Sequence, residues 1–322
     1  MLYYYIMRAI HKSVAFAVFC TALTPLLDET RDFSLSFEAR AGMLHGLTRE
    51  YVYEGDKQIS RLEWEEKTVP YIHTALGFAW KRFFISGTAK NAVPLQSGSM
   101  RNYDYLLPGS NALTNFSKHD ARLDRHNEYD IGIGYGFAVK NRLSISPSAG
   151  FLYSNRKWTA SDGYLRYAPE GAALQGGEPK RTVTGAVITY EQKISYFYAA
   201  VETRYYLFDK IMLGAYFRLY PYIWAESVDH HIMRSTEFFD SMPGGIGGSL
   251  GLLAGYRPAR LPNLELAAGF TFEKLFKTKG AVAQRSTGLN AAPSFKPSST
   301  HSSAYDGELW DFFIGARYAL GF

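Results

Sequence analysis

Residues 310–322 read WDFFIGARYALGF, and every second position in this stretch carries an apolar side chain. A period of two is the mark of a β-strand, because successive side chains on a strand point to opposite faces. The alternate set is mostly small or charged. An apolar face with aromatic residues near both ends is typical of the closing strand of an outer-membrane barrel. A buried strand of a soluble sandwich is the alternative. The apolar set is Trp310, Phe312, Ile314, Ala316, Tyr318, Leu320 and Phe322.

The composition favours the barrel. Aromatic residues make up 16% of the 322 residues, as expected for a barrel with aromatic girdles at both membrane interfaces. After the first 27 residues there is no apolar run of the length that a transmembrane helix needs, which argues against a helical membrane protein. The net charge of +5 comes from basic and acidic residues that are mixed along the chain. No nucleic-acid partner is therefore expected.

The first residues have the pattern of a secretory leader. Arg8 and Lys12 precede a largely apolar run over 14–23, and polar residues follow it. We expect a signal peptide over residues 1–27, with Met7 as an alternative start, and a barrel domain over 28–322. The single cysteine, Cys20, lies inside this leader, and the bulky Phe19 before it argues against a lipoprotein site. The mature chain is then held together without disulfides.

Alternating segments recur along the chain and predict ten antiparallel strands, an all-β transmembrane barrel. Short turns alternate with long loops, as in even-stranded outer-membrane barrels. The long loops include 97–124, 234–245 and 278–305. Several strands exceed the length that crosses a bilayer, so the barrel should project beyond the membrane. A ten-stranded barrel is narrow, so side chains should fill its lumen and function should lie at its rim. The predicted strands are 33–53, 59–80, 83–95, 127–139, 143–159, 182–207, 211–231, 248–256, 264–277 and 310–322.

Six short motifs, in this order and spacing, resemble the omptin family of outer-membrane endopeptidases. The resemblance covers residues from about 33 to 322. It implies a bacterial outer-membrane location with the active face outside the cell, and hydrolysis of peptides at basic residues by an attacking water. It implies no cofactor and no metal. The motifs are GLTREYVY at 46–53, ISRLEW at 59–64, GSM at 98–100, NEYD at 127–130, WAES at 224–227 and KTKG at 277–280.

The family's chemistry implies an Asp-x-Asp pair facing an Asp-x-His pair. A spacing of two puts both members of a pair on one face of a strand, so a water can sit between the pairs. Position by position, the first pair falls on Asn102 and Asp104, so one carboxylate is replaced. Without a gap, the second pair falls on His231 and Met233, and neither catalytic residue is kept.

A slip of two residues gives a different reading of the second pair. Asp229 and His231 themselves read Asp-x-His, and a shift of two keeps every side chain on its original face. In the ungapped reading, Asp229 instead matches one of the family's acidic specificity residues and Glu50 matches the other. His119 falls at a family loop position near the site and could assist in either case.

Two functions of different class follow. The first is an aspartyl-type endopeptidase with a weakened catalytic set, and the second is an inactive adhesin or receptor for basic peptides or host proteins. The expected partners are peptides or proteins with basic residues, and outer-membrane lipid such as lipopolysaccharide. Glu50 and Asp229 could instead balance basic side chains in the lumen. His230 and His231 could be solvated rim residues, and as neighbours on a strand they make no convincing zinc site.

Overall fold

The computed structural model describes residues 33–139, 142–208, 210–288 and 294–321. Most of these residues lie in antiparallel strands. The predicted leader and Cys20 lie outside the described residues. In the part of the chain that is described, no helix is long and apolar enough to cross a membrane. The strands are β1 (Phe33–Glu54), β2 (Lys57–Trp80), β3 (Phe83–Ala92), β4 (Leu95–Asp104), β5 (Asn115–Tyr135), β6 (Phe137–Val139), β7 (Leu143–Tyr167), β8 (Arg181–Thr182), β9 (Ala186–Leu207), β10 (Ile211–His231), β11 (Thr236–Tyr256), β12 (Leu264–Ser286) and β13 (Lys296–Gly321).

The strands form one closed antiparallel sheet. β1 pairs with β2 on one side and with β13 on the other, so the first and last strands complete the ring. β3 and β4 both lie between β2 and β5 and act as one barrel strand. Pro94 separates them, and proline has no N–H for a ladder hydrogen bond. β6 continues β5, and β8 is a two-residue loop strand. The predicted ten-stranded barrel is confirmed.

Side chains alternate between the outside and the lumen of the barrel. On β13, Ile314 is 69% exposed on the outer face, whereas Asp311 and Arg317 are buried inside. Exposed apolar side chains form a band that covers about residues 33–43 of β1 and 246–256 of β11. Each segment has roughly the 9–11 residues that a tilted strand needs to cross a bilayer. The remaining half of each strand projects beyond the membrane.

Aromatic side chains fill the lumen above this band. Trp64, Trp158 and Tyr190 are fully buried, and their ring centroids lie 5.5 to 6.0 Å apart. Lower in the barrel, Lys90 Nζ lies 2.9 Å from Asp311 Oδ2 and 3.1 Å from Glu128 Oε2. These contacts close the barrel to wide passage.

Three predicted loops are wrong in extent. Residues 97–124 were expected to be a loop, but β4 continues to Asp104 and β5 begins at Asn115. The segments 234–245 and 278–305 also lie largely in strands, since β11 begins at Thr236 and β12 ends at Ser286. The physical reason is that the outer face of the projecting strands meets water rather than lipid. Both faces of these segments therefore carry polar residues, and their composition resembles that of a loop.

Candidate active site at the outward rim

The outer end of β10 places an acid and a histidine side by side on the lumen face. Asp229 is 2% exposed, and the side chain of His231 is 15% exposed. His231 Nε2 donates a hydrogen bond to Asp229 Oδ2 at 2.7 Å. The contact leaves Nδ1 as the ring nitrogen that could accept a proton. His230 points the other way, with its Nε2 3.5 Å from the Thr287 hydroxyl.

Neighbouring charges determine the protonation of His231. Burial lowers its pKa, but the Asp229 charge and the hydrogen bond from His231 to Asp229 outweigh burial, and the net pKa is raised. The carboxylate of Asp104 raises this pKa further, and Arg234 opposes it. Asp104 on β4 therefore lies close enough to His231 to act on it electrostatically, although β4 and β10 are far apart in the chain.

Asp104 and Asn102 share one hydroxyl donor. The Ser60 hydroxyl on β2 lies 2.9 Å from Asp104 Oδ1 and 3.0 Å from Asn102 Oδ1, and it can donate its hydrogen to either. The two side chains are two residues apart on β4 and so face the same way. Only one of the two side chains is a carboxylate. Asn102 supplies hydrogen-bonding capacity without charge.

Met233 and His119 lie apart from this cluster. Met233 is 62% exposed in a short 3-10 helix at Ile232–Arg234, beyond the end of β10. His119 was expected in a loop, but it lies in the middle of the outer part of β5 and is 1% exposed. Its Nδ1 donates to the backbone carbonyl of Asp162, and burial lowers its pKa. Among the described contacts, none joins His119 to His231.

Below the histidine, three buried carboxylates converge from three strands. Glu50 on β1 is 4% exposed, and Asp229 on β10 and Asp240 on β11 are each 2% exposed. Burial raises the pKa of Glu50 well above its usual range, and the charges of Asp229 and Asp240 raise it further. Glu50 Oε2 and Asp229 Oδ1 are buried and have no hydrogen-bond partner among the described residues. Asp229 thus has one oxygen on His231 and one buried oxygen without such a partner.

The neighbours of this cluster argue against simple charge balance. Within the described ranges, no ion pair joins Glu50, Asp229 or Asp240 to a lysine or arginine. Asp240 and Ser60 were not singled out from the sequence. Asp240 stands in a segment that resembles a loop. No signal in the sequence alone would have found it, because only the register between β10 and β11 shows that it lies directly opposite Ser227.

The fold and this cleft define an outer-membrane barrel with a polar, acid-rich site at the rim that projects from the membrane. The family model described as Omptin family matches residues 31–307, and the chain belongs to the omptin family. It is 26% identical over 234 residues to the outer membrane protease OmpP of Escherichia coli K12, covering 69% of this chain and 72% of that protein.

The structure is also similar to that of a solved relative. The crystal structure of the outer membrane protease OmpT from Escherichia coli matches with a TM-score of 0.78 and 20% identity, covering 93% of this chain and 99% of that one. This match supports the assignment of the fold. The chain is therefore an omptin-family outer-membrane protease barrel, located in the outer membrane. The comparisons give no support to the adhesin alternative.

Proposed function

We propose that the rim cleft hydrolyses peptide bonds after basic residues, with Asp229 and His231 as the working dyad. The observation that carries this proposal is the 2.7 Å contact between His231 Nε2 and Asp229 Oδ2 on the lumen face of β10. Met233, the histidine position in the ungapped reading, is exposed outside the cleft and has no group that accepts a proton at neutral pH. The slipped register thus agrees better with the side-chain positions.

In the proposed reaction, His231 Nδ1 takes a proton from water as the water oxygen bonds to the peptide carbonyl carbon. Asp229 fixes the imidazole orientation and stabilises its positive charge. Asp104 and Asn102 on β4, together with Ser60 on β2, help to hold this water on the side away from His231. When the carbon–nitrogen bond breaks, His231 returns the proton to the leaving amine.

The acidic cluster is the proposed site for the basic side chain before the cut. Glu50 and Asp229 each have a buried oxygen without a hydrogen-bond partner among the described residues, and a lysine or arginine side chain supplies donors and the missing positive charge. The proposed partners are therefore extracellular peptides or proteins with basic residues. Outer-membrane lipid, including lipopolysaccharide, is the proposed partner of the barrel's outer face.

The test uses the refolded barrel and a mixed peptide pool with Arg-Arg, Lys-Arg and control bonds, with products read by mass spectrometry. We expect cuts at basic sites. His231→Ala should abolish them, a loss of about 10²–10⁴-fold for a general base. Met233→Ala should leave them, because its side chain lies outside the cleft.

The ungapped reading makes the opposite prediction. If it holds, the wild type is silent and the triple variant Asn102→Asp, His231→Asp, Met233→His gains activity. Equal, small effects of His231→Ala and Met233→Ala would also contradict the Asp229 and His231 dyad.

A further inference from the structure

Asp240 is a buried acid that neither the dyad nor the proposed specificity pair uses. It lies on β11 directly opposite Ser227 of β10, two residues before Asp229 on the same face. The Ser227 hydroxyl donates to Asp240 Oδ2 at 2.9 Å. This hydrogen bond turns the carboxylate toward β10, beside Asp229 rather than toward solvent, and the residue is 2% exposed.

The surroundings of Asp240 are acidic or neutral. β1 contributes Glu50 and β10 contributes Asp229, whose other partner is His231. The other neighbouring strands contribute uncharged groups: Tyr190 on β9, Val282 on β12 and Ser303 on β13. Of the three carboxylates only Asp229 has a histidine partner, so the charges of Glu50 and Asp240 are not compensated in the empty pocket, and their mutual repulsion and burial favour the retention of a proton there.

We propose that Asp240 is a third, specificity-determining acid of this pocket, which is protonated when the pocket is empty and releases its proton to solvent when a cationic side chain enters. The inference rests on the proposed function of the pocket as the site for a basic side chain. The observation that supports the pocket also supports this role, since Glu50 Oε2 and Asp229 Oδ1 are buried beside Asp240 without hydrogen-bond partners in the described chain.

The titration of Asp240 is consistent with this role. Burial raises its pKa to about 7, while the Ser227 and Ser303 hydroxyls lower it and the charge of Asp229 raises it. A cation in the pocket favours the ionised form and so lowers this pKa. Binding then improves as pH rises, by up to about tenfold per pH unit while one proton is released.

The test measures binding, so it does not depend on turnover. The probes are N-acetyl-lysine methylamide and its neutral isostere N-acetyl-norleucine methylamide, titrated by calorimetry into the refolded full chain at about pH 5.5 and about pH 8.5. A third titration at about pH 6.5, between the bound and the free pKa of Asp240, is made in two buffers of different ionisation enthalpy and gives the number of protons released. We expect the lysine probe to bind at least about tenfold better at the higher pH than at the lower one, with proton release at the intermediate pH, and the norleucine probe to show no such change.

Asp240→Asn should match the wild type at the lower pH, where Asp240 is already neutral, and bind the lysine probe about tenfold more weakly at the higher pH. Asp240→Ser gives the same test with a smaller side chain if the first variant does not refold. Asp306→Asn is the matched control. Asp306 is a buried carboxylate on β13, but it faces outward and pairs with Arg49, so its loss should not change lysine binding.

The outcomes separate this inference from the proposed function. Lysine binding that is equal in the wild type and Asp240→Asn at both pH values overturns the role of Asp240 and leaves the pocket standing. Absence of lysine binding in the wild type at the higher pH refutes the pocket, and this inference with it. The expected Asp240 effect in a barrel that cuts no peptide supports the inference and refutes only the catalytic proposal.

Discussion

Replacing Asp229 by asparagine tests the dyad directly, because it keeps the shape of the side chain and removes its charge. The variant loses the negative charge that accepts the 2.7 Å hydrogen bond from His231, a histidine whose side chain is only 15% exposed. A hydrogen bond to a charged group contributes about 1.5–3 kcal/mol. If that bond is strongest when His231 carries the proton in the transition state, its loss slows cleavage by about 10–150-fold.

The pH dependence of the same variant has a definite sign. Asp229 raises the pKa of His231, which keeps the ring protonated, and unable to act as a base, to a higher pH. Removing the charge lowers that pKa, so the acid side of the profile of kcat/KM should move to lower pH while the maximum falls. The measurements are kcat/KM against pH on a peptide found in the pool, and the ring resonances of His231 by NMR.

The NMR measurement also applies to an inactive barrel. An unchanged or raised His231 pKa in Asp229→Asn would refute the electrostatic argument. Asp56→Asn is the matched control, since Asp56 is a fully exposed carboxylate in the turn between β1 and β2 and should change neither readout.

Three further predictions concern β4, which carries Asn102 and Asp104, and the barrel itself. Asn102→Asp adds a carboxylate beside Asp104, so like-charge repulsion should raise the pKa of one of the two and cleavage should rise by about tenfold or more, measured on the same peptide. Trp158→Ala opens a cavity in the fully buried aromatic cluster and should lower the free energy of unfolding by about 3–5 kcal/mol, measured by urea titration in lipid vesicles. Ile314→Arg puts a charge on the lipid face and should cost about 2–4 kcal/mol in the same assay, and a neutral result would contradict the assigned facing.

The membrane-spanning half of the fold could be predicted from the sequence because lipid imposes a strict alternation. Residues 310–322 show it without interruption, and the structure places Ile314 outside and Arg317 inside. The projecting half was harder to predict. Its outer face meets water rather than lipid, so both faces carry polar residues and the period of two is weak. For this reason β4 and the first part of β5 resembled a loop.

The candidate site was predictable in part. Asp229 and His231 share a strand face by spacing alone, so the sequence could propose their contact as one of two registers. The position of Met233 outside the cleft depends on where β10 ends, which spacing does not determine. Asp240 could not be assigned before the pairing of β10 with β11 was known, because its partners are distant in sequence and each contact depends on register.

The pairing of β1 with β13 has a consequence for assembly. Arg49 and its partner Asp306 are separated by 257 positions in the chain, so the bonds that seal the ring join two strands that are far apart in the sequence. Until β13 arrives, β1 has an open edge with unpaired N–H and C=O groups, and such edges recruit other strands and promote aggregation. Contacts of such long range also slow folding. Closure of the barrel therefore depends on β13. A chain truncated before Lys296 would leave open edges on β1 and β12, and it should be recovered as aggregate or degraded rather than as a smaller barrel.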